Sequence, residues 1–429
     1  MTGSTWQPAP ALSTALGAIA TMGLLAVALN RPDLVVVVLP IAAMSLLALL
    51  RRAYRLPEVT VQAGAATLLE GESTFVHWHI SAEETVDALQ LRLQLRGHLD
   101  QPEGGRLVVT SVLAGTQRRF GYRLVSTRWG RGYLDGVLLE AYTAMGLLRA
   151  VALVPATGSI RVLPLREGFT AVDAVPVAAG VVGLHRSRRT GEGIDLAGVR
   201  PFTPGDRLHR INWPVSTRTG ALHVTNTYSD RDADVVLVLD TSVEVGESGD
   251  GDRSSSSLDQ AVRAAGAIAE HYLRNGDRVG LLDLSRPGRP IRSRAGRGQL
   301  DRLVEILLET RAGAVGQPAI ERALSRIPVN ALVIVLSPLL SDEVGQALAG
   351  LTRAGRSMIV VDTLPDRIEL TELGQWTKLA WRVQLLRRDN LVAALAAHGV
   401  PAVPWLGAGS LDAVLLGLSR LAAAPRLRR

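Results

Sequence analysis

The residues best suited to chemistry follow a run of five apolar residues, Val235–Leu239. Asp240 comes directly after this run, Ser242 follows two residues later, and Glu244 two residues after that. A carboxylate and a hydroxyl at this spacing present hard oxygen atoms to one point, and Mg²⁺ prefers such ligands. The alternative is structural, because Asp and Ser side chains also satisfy backbone donors in turns and at helix N-termini.

A second group of polar residues with chemical potential lies in the segment 200–218. Its members Arg200, Arg207, Arg210 and Arg218 carry guanidinium groups, which pair bidentately with carboxylate or phosphate. They could therefore form a surface for an acidic partner. The same segment contains Asp206, so the structural alternative is that these arginines pair with Asp206 and fix a turn.

The middle of that segment has the sequence of a tight turn. Pro204-Gly205 favours a type II turn in which Gly205 takes positive φ. Ile211 and Trp213 are then predicted to point into the core, and Asn212 to point the other way.

The elements around Asp240 change character at about Ala233, where short apolar strands begin to alternate with amphipathic helices. This alternation predicts an α/β domain with a doubly wound parallel sheet. Ligands bind at the carboxyl ends of the strands in such sheets, and Asp240 lies at that end. The strands are predicted at 235–239, 279–284, 331–336 and 357–362, and the helices at 258–274, 299–311, 343–354 and 390–398.

Between Leu56 and Pro164 the hydrophobic period is two, which is typical of half-buried strands. In Leu89–Arg96 the leucines fall on one side and Gln or Arg on the other. Short strands at this spacing predict a small β-sandwich. His77 and His79 fall on a polar strand face, and with no third ligand evident a solvated face is favoured over a metal site. The other strands are predicted at 74–80, 107–112, 119–125, 133–140 and 160–163.

Two uninterrupted apolar runs, Ala11–Leu29 and Leu34–Leu50, open the chain. At about 1.5 Å per residue they reach roughly 28 and 26 Å, close to the ~30 Å hydrocarbon core of a bilayer. Arg51, Arg52 and Arg55 follow the second run, and no basic residue precedes the first. The positive-inside rule therefore predicts a two-span hairpin with its soluble domains in the cytoplasm.

The alternative to a hairpin is a cleaved signal peptide, because Ala26–Ala28 resembles a cleavage site. The leading segment lacks the positive charge of such a signal, and a second span follows immediately. The polar turn Asn30–Asp33 joins the two spans, since Pro32 cannot continue a helix.

The composition limits the remaining classes. The chain of 429 residues has no cysteine, so a disulfide framework and a cysteine-based metal or redox site are excluded. The net charge of +7 is spread along the chain without a basic face interleaved with aromatic residues, which argues against nucleic acid. No small-molecule substrate is evident, and no cofactor is expected apart from Mg²⁺ at the Asp240 site.

The segment Arg200–Trp213 resembles the signature of the domain of unknown function 58 (DUF58) family. The preceding Gly191–Asp195 and the following Ser216–Arg218 resemble it as well, and Arg128–Tyr133 is similar to the family's Arg-rich Gly-Tyr turn. The resemblance covers almost the whole chain and implies four parts in order: a membrane hairpin (1–55), a β-sandwich-like domain (56–165), a connecting segment with the signature (166–232) and a von Willebrand factor type A-like α/β domain (233–429).

The resemblance also implies a degenerate metal site. Type A domains often bind a divalent metal through Asp-x-Ser-x-Ser, a distant threonine and an aspartate after a later strand. Asp240 and Ser242 match this pattern, but Glu244 replaces the last serine and Pro338 stands where the aspartate is expected. Glu244 or Asp342 could supply a substitute oxygen ligand, so the metal site is predicted at Asp240, Ser242 and Glu244. No threonine occupies the loop 294–298.

The function implied by the resemblance is a non-enzymatic binding or assembly factor at the bacterial plasma membrane. Its implied partner is a MoxR-type AAA+ ATPase engaged in envelope-related assembly. The alternative is a metal-dependent hydrolase that uses Asp240 and Ser242, with Asp206 or His209 as a base. No nucleophile or oxyanion motif accompanies that pair in the sequence.

Overall fold

The computed structural model describes residues 6–50, 52–102, 106–156, 158–165, 187–203, 206, 208–229, 234–246, 256–286, 290–329, 331–366, 368, 374–406, 409–410 and 414. The chain divides into two compact units, residues 1–163 and 164–429, and each is described by itself.

Two long apolar helices open the first unit, α1 (Pro10–Ala28) and α2 (Asp33–Leu50). Both are long and apolar enough to cross a membrane, and only 6% and 11% of their residues are buried. The predicted turn lies between them, where Asn30 has a φ of 47° and Arg31 pairs with Asp33 at 2.9 Å. The two predicted apolar spans are therefore both helices.

The rest of the first unit is β-rich, as predicted. One of its two sheets has seven strands, and the other has four in the order β2-β4-β8-β6. In the larger sheet β9 pairs with β5, β10 and β11. The strands are β1 (Gln7–Pro8), β2 (Glu58–Ala63), β3 (Thr67–Leu69), β4 (Ser73–Ala82), β5 (Val86–Arg96), β6 (Leu99–Asp100), β7 (Arg106–Val112), β8 (Thr116–Ser126), β9 (Gly130–Thr143), β10 (Leu148–Val154) and β11 (Gly158–Leu163).

The two sheets share one hydrophobic core, to which alternate residues of each strand contribute. Trp78 and Ile80 of β4 pack into the same cluster as Leu91 of β5, and all three are at most 1% exposed. On the opposite face of β4, His77 is exposed and His79 is half-buried, so the predicted solvated face is confirmed.

The residues just before α1 and those at and just after the end of α2 contact the β-rich part. β1 pairs with β10, and the N–H of Ala53 donates to Oγ1 of Thr143 at 2.9 Å. Ala48 of α2 packs in a small apolar cluster with Leu147 and Leu148. The hairpin and the β-rich part thus belong to one compact unit.

The second unit begins with an irregular two-stranded ribbon of β12 (Ser187–Pro201) and β13 (His223–Ser229). The connecting segment expected over 166–232 contains this ribbon, whose two strands were not predicted, and 166–186 lie outside the described residues. The pairing shifts register at several points, and such bulges break the two-residue alternation that marks a strand in sequence. A 3₁₀ turn (Leu208–Arg210) and the short helix α3 (Trp213–Thr219) connect the two strands.

The α/β part has a six-stranded sheet in the order β16-β15-β14-β17-β18-β19. Every neighbouring pair is parallel except β15 and the edge strand β16. The strands are β14 (Asp234–Leu239), β15 (Arg278–Asp283), β16 (Ile291–Arg294), β17 (Leu332–Ser337), β18 (Met358–Asp362) and β19 (Ala402–Pro404); the helices are α4 (Ser257–Arg274), α5 (Arg297–Leu307), α6 (Gln317–Leu324), α7 (Asp342–Arg353) and α8 (Gln375–Ala397).

Helices cover both faces of this sheet, as the predicted doubly wound arrangement requires. Val236 and Val238 contribute to a core that α6, α7 and the C-terminal part of α8 complete. On the other face, α4 contacts β14, β15 and β17, and its Ala265 and Ile268 are fully buried. The capping box of Ser256 and Asp259 begins α4.

Two predicted helices differ from the observed ones. The helix predicted at 299–311 ends at Leu307, and the one predicted at 390–398 begins fifteen residues earlier, at Gln375. The first half of α8 has apolar residues on two sides, so it lacks the single apolar stripe by which an amphipathic helix is recognised. The short elements α6, β16 and β19 had no distinctive sequence pattern and were not predicted.

Candidate functional site

Polar side chains meet at the carboxyl edge of the α/β sheet, where four parallel strands end. Asp240 directly follows β14, while β15, β17 and β18 end at Asp283, Ser337 and Asp362. The register aligns Leu239 with Asp283 and Ser337 with Asp362, so these side chains lie in one row. Ligands bind at this edge in open α/β sheets.

Asp240 is the centre of the row and is only 2% exposed. Its Oδ1 accepts hydrogen bonds from the N–H and the hydroxyl of Ser242, at 3.1 and 2.5 Å. Its Oδ2 accepts one from the hydroxyl of Ser337 at 2.5 Å. Burial raises the pKa of Asp240 above its ordinary value, and the charge of Asp283 acts in the same direction, against the hydrogen bonds from the two serines.

Asp283 is a second buried carboxylate, and the sequence reasoning missed it. Its Oδ1 accepts hydrogen bonds from Oγ1 of Thr241 at 2.5 Å and from the N–H and hydroxyl of Ser285 at 3.0 Å. Within the described part of the chain, its Oδ2 is buried and accepts no hydrogen bond. The available signal was a carboxylate at the end of a predicted strand next to the Asp240 strand.

Ser337 and the strained turn after it complete the edge. The predicted position of a metal-binding aspartate is Pro338, and the residue before it reaches Asp240 instead. Leu339 is buried and has a φ of 57°, a left-handed conformation that costs a non-glycine residue free energy. In that conformation its N–H donates to Oγ of Ser337 at 2.9 Å, which holds the hydroxyl in place.

Glu244 has a structural contact at the start of α4. Its Oε1 accepts a hydrogen bond from the hydroxyl of Ser256, the N-cap residue, at 2.6 Å. The structure therefore joins Asp240 and Ser242 directly, while the Glu244 carboxylate is engaged at the helix N-terminus. The structural alternative predicted for Asp240 was a side chain that accepts a hydrogen bond from a backbone N–H in a turn. Its contact with the Ser242 N–H is of this kind.

An ion pair from α8 closes the other end of the row. Nη2 of Arg388 pairs with Oδ2 of Asp362, and Nε donates to the carbonyl of Pro338 at 3.0 Å. Both side chains are mostly buried, with exposed fractions of 12% and 17%. The sequence analysis missed Arg388 because the helix was predicted to start after it.

The signature segment contains a bidentate ion pair between Arg200 and Asp206. The two guanidinium nitrogens donate to the two carboxylate oxygens at 2.6 and 2.7 Å, and the N–H and hydroxyl of Thr203 each add a bond of 2.9 Å. The Arg200 guanidinium, followed by the Thr203 N–H, holds the pKa of Asp206 well below its ordinary value. This geometry is the structural alternative considered for the segment.

The other members of the predicted signature set lie in different surroundings. Asn212 is the N-cap of α3, because its Oδ1 accepts from the N–H of Val215 at 3.2 Å. Arg210 is half-buried and Arg218 is exposed. Pro204, Gly205 and Arg207 lie outside the described residues, as does the side chain of His209.

The prediction that Trp213 packs into the core is wrong, because its side chain is 61% exposed. Trp213 is the first residue of α3, so the strand-like alternation from which its direction was inferred ends at Asn212. Leu208, in the preceding 3₁₀ turn, is 70% exposed. The signature segment thus places two large apolar side chains on the surface.

The comparison with protein families identifies this same segment. Residues 198–377 match the family described as protein of unknown function DUF58. The match supports the DUF58 resemblance and includes the signature, Asp240, Asp283, Ser337 and Asp362, but ends before Arg388.

The relatives that this chain matches are described as uncharacterized proteins. Proteins of Mycobacterium bovis and of Mycobacterium tuberculosis H37Rv are each 25% identical to it over 231 residues, which is 50% of this chain and 72% of theirs. These matches support a relationship, and the descriptions of the two relatives name no activity.

Two solved structures each overlap about a quarter of the chain. The CARDB domain of the PF1109 protein from Pyrococcus furiosus has a TM-score of 0.18 with 12% identity, covering 26% of this chain and 92% of that one. A non-cellulosomal cohesin from Archaeoglobus fulgidus has a TM-score of 0.18 with 18% identity, covering 25% of this chain and 91% of that one. Scores this low establish no common fold.

The donor set at the sheet edge can be compared with what a divalent cation requires. In the described part of the chain, no three His, Asp or Glu side chains are placed to hold a metal together. Around Asp240 the edge instead combines the carboxylates of Asp240 and Asp283 with hydroxyls of Thr241, Ser242 and Ser337, while the third carboxylate, Asp362, pairs with Arg388. Mg²⁺ accepts such oxygens, but those of Asp240 already bind hydroxyl donors. Metal binding by Asp240, Ser242 and Glu244 stays a prediction.

Proposed function

We propose that this chain is a membrane-anchored binding or assembly factor whose soluble parts lie on the cytoplasmic side of the plasma membrane. The exposed apolar surfaces of α1 and α2 support the anchor. Their orientation rests on Arg51, Arg52 and Arg55, which follow the second span.

The topology of the second unit supports a von Willebrand factor type A-like domain. Numbered along the chain, the six described strands of its α/β sheet lie in the order 3-2-1-4-5-6, and within that sheet the one antiparallel strand lies at an edge. This order, together with the DUF58 match, is the basis for extending the family resemblance from the signature to the α/β domain.

The observation that carries the proposal is the exposure of Trp213 and Leu208 in the signature segment. Large apolar side chains on the surface often mark an interaction site, and Trp and Arg are enriched where interfaces gain most of their affinity. The ion pair of Arg200 with Asp206 fixes the local backbone before a partner arrives, which lowers the entropic cost of binding. Arg218, exposed in the last turn of α3, adds a donor for an acidic partner.

The partner that we propose is a MoxR-type AAA+ ATPase, as the family resemblance implies. The test is affinity capture of the tagged full chain from native membranes in mild detergent, comparing the wild type with Trp213→Ala and Leu208→Ala. We expect both variants to lose the ATPase while keeping the wild-type thermal stability. Val329→Ala, which shortens a side chain that is 73% exposed outside the signature, is the matched control.

Two results would contradict this proposal. One is recovery of the same ATPase in equal amounts by wild type and both variants. The other is an extracytoplasmic position of a reporter fused after Arg429, because a cytosolic ATPase could then not reach the signature.

A metal-dependent hydrolase is the second candidate, and the buried Oδ2 of Asp283 favours it. An unpaired carboxylate oxygen near Asp240 is costly unless a cation or a proton compensates it. Calorimetry with Mg²⁺ and Mn²⁺ on the wild type, Asp240→Asn and Asp283→Asn tests this candidate. Binding that both variants lose, together with phosphoester turnover, would support it; no heat of binding with the wild type would exclude it.

A further inference from the structure

Helix α8 has one face that packs on its own domain. Leu391, Val392 and Leu395 contact the core that also contains α6 and α7. Nearer the N-terminus, Gln384 donates to the carbonyl of Leu340 at 2.6 Å, and Arg388 pairs with Asp362. These contacts fix which side of α8 faces the domain.

The opposite face of α8 has a regular apolar stripe that no other described part of the chain covers. Trp376, Leu379, Val383 and Leu386 are 76%, 51%, 44% and 64% exposed. Their spacing of three, four and three residues is that of the a and d positions of a heptad. Asn390, Ala393 and Ala397 continue the same spacing to the end of the helix, and all three are exposed.

The charges beside the stripe distinguish the two ways in which a second α8 could lie on it. In a parallel pair, Arg382 and Arg387 of opposite chains become neighbours and repel each other. In an antiparallel pair centred between Val383 and Leu386, Arg382 of each chain lies beside Asp389 of the other, which is attractive. The Asp389 side chain lies 3.5 Å from Nη1 of Arg388 in its own chain, and because it is 68% exposed it is also accessible to the arginine of the second copy.

The side-chain sizes agree with the antiparallel order. With Val383 opposite Leu386 of the second copy, the largest residue of the stripe, Trp376, faces Ala393 of the second copy. Large residues then meet small ones at both ends of the pair, so the helices can approach closely along their length.

We propose that two copies of this chain pair through α8 as an antiparallel, two-fold symmetric helix dimer. The stripe Trp376, Leu379, Val383 and Leu386 forms its seam, and two contacts between Arg382 and Asp389 flank it. In such an isologous interface each residue contact occurs twice, so the attraction counts twice. This pairing is independent of the ATPase proposed as the partner of the signature segment.

Cysteine cross-linking of the full chain in its membrane tests both the pairing and its direction. The chain has no cysteine, so any disulfide must come from the introduced residues. Two versions with tags of different size are co-expressed, one with Leu379→Cys and the other with Asn390→Cys, and the membranes are oxidised. We expect a cross-linked species that contains both tags, and none when both versions carry Leu379→Cys.

Charge reversal provides a second, independent measurement. Arg382→Asp and Asp389→Arg should each lower the cross-linked fraction by about tenfold, because each places like charges together twice. The double variant Arg382→Asp/Asp389→Arg should recover it. Lys378→Asp, which reverses a charge on the same helix away from the seam, is the matched control.

The outcomes separate the proposed occupant of the stripe from others. A disulfide between two Leu379→Cys chains would replace the antiparallel arrangement with a parallel one. Absence of any disulfide, with variants as thermally stable as the wild type, would overturn the proposal. The stripe would then be covered by the bilayer surface, by another protein or by another segment of the chain.

Discussion

The hydroxyl of Ser337, at the end of β17, donates a hydrogen bond of 2.5 Å to the buried carboxylate of Asp240, which follows β14. The two residues are 97 positions apart in sequence and meet because their strands are parallel neighbours. The contact joins two strand ends at the edge where α/β sheets bind ligands.

Removing this contact should destabilise the α/β domain. Ser337→Ala leaves Oδ2 of Asp240 buried without its hydroxyl donor, and we expect a loss of about 1–3 kcal/mol in the free energy of unfolding. Denaturant unfolding of the full chain in detergent measures it. Ser325→Ala, which removes an exposed hydroxyl bonded to Arg322, is the control and should change stability by less than about 0.5 kcal/mol.

Asp240 should make stability depend on pH. Because its folded-state pKa lies above the ordinary value of 3.8, the folded protein favours the protonated form, and stability falls as pH rises from about 4 through the raised pKa. Asp240→Asn cannot ionise at this position. The melting temperature of the variant minus that of the wild type should therefore increase as the pH is raised to 8. Melting curves over this range measure the difference, and parallel curves would contradict the assignment.

Asp206 should have the opposite dependence. Its folded-state pKa is lowered below 3.8, so the stabilisation is complete above that pH and is lost as pH falls through the lowered value. Asp206→Asn should therefore have a lower free energy of unfolding than the wild type at pH 6. This difference between the two proteins should become smaller below about pH 4. Asp301→Asn, which changes an exposed aspartate of α5, serves as control and should track the wild type.

The ion pair of Arg388 with Asp362 should matter for the position of α8. Arg388→Ala leaves the mostly buried carboxylate of Asp362 without its partner, which we expect to cost about 3–5 kcal/mol. Proteolysis within α8 should accelerate, because the pair anchors the helix to the sheet edge. Arg387→Ala, at the adjacent exposed position, should leave both the melting temperature and the cleavage rate unchanged; equal effects of the two variants would refute this role.

The order of elements could be predicted from the sequence because it depends on local patterns. The two apolar runs could only be long helices, and the alternation around Trp78 required strands with one buried face. Val235–Leu239 and its neighbours required buried strands separated by helices. In each case a period of two or 3.6 residues follows directly from the backbone geometry.

The members of the candidate site needed the tertiary structure. Asp240 and Ser242 are close in sequence and could be recognised together, but Asp283 and Ser337 join them only through the strand order of the sheet. Arg388 lies on α8, and the start of this helix could not be predicted because apolar residues occur on two sides of its first half. The exposure of Trp213 depended on where strand pairing ended and α3 began.

The sequence alone therefore determined that the chain has two apolar helices, a β-rich part and an α/β part, and that Asp240 stands at the end of a buried strand. Short-range periodicity contains that information. The tertiary structure decided which carboxylates and hydroxyls share the sheet edge, that Asp206 is bound by Arg200, and that the stripe of α8 faces outward. Those facts depend on contacts between residues far apart in the chain, which local patterns do not encode.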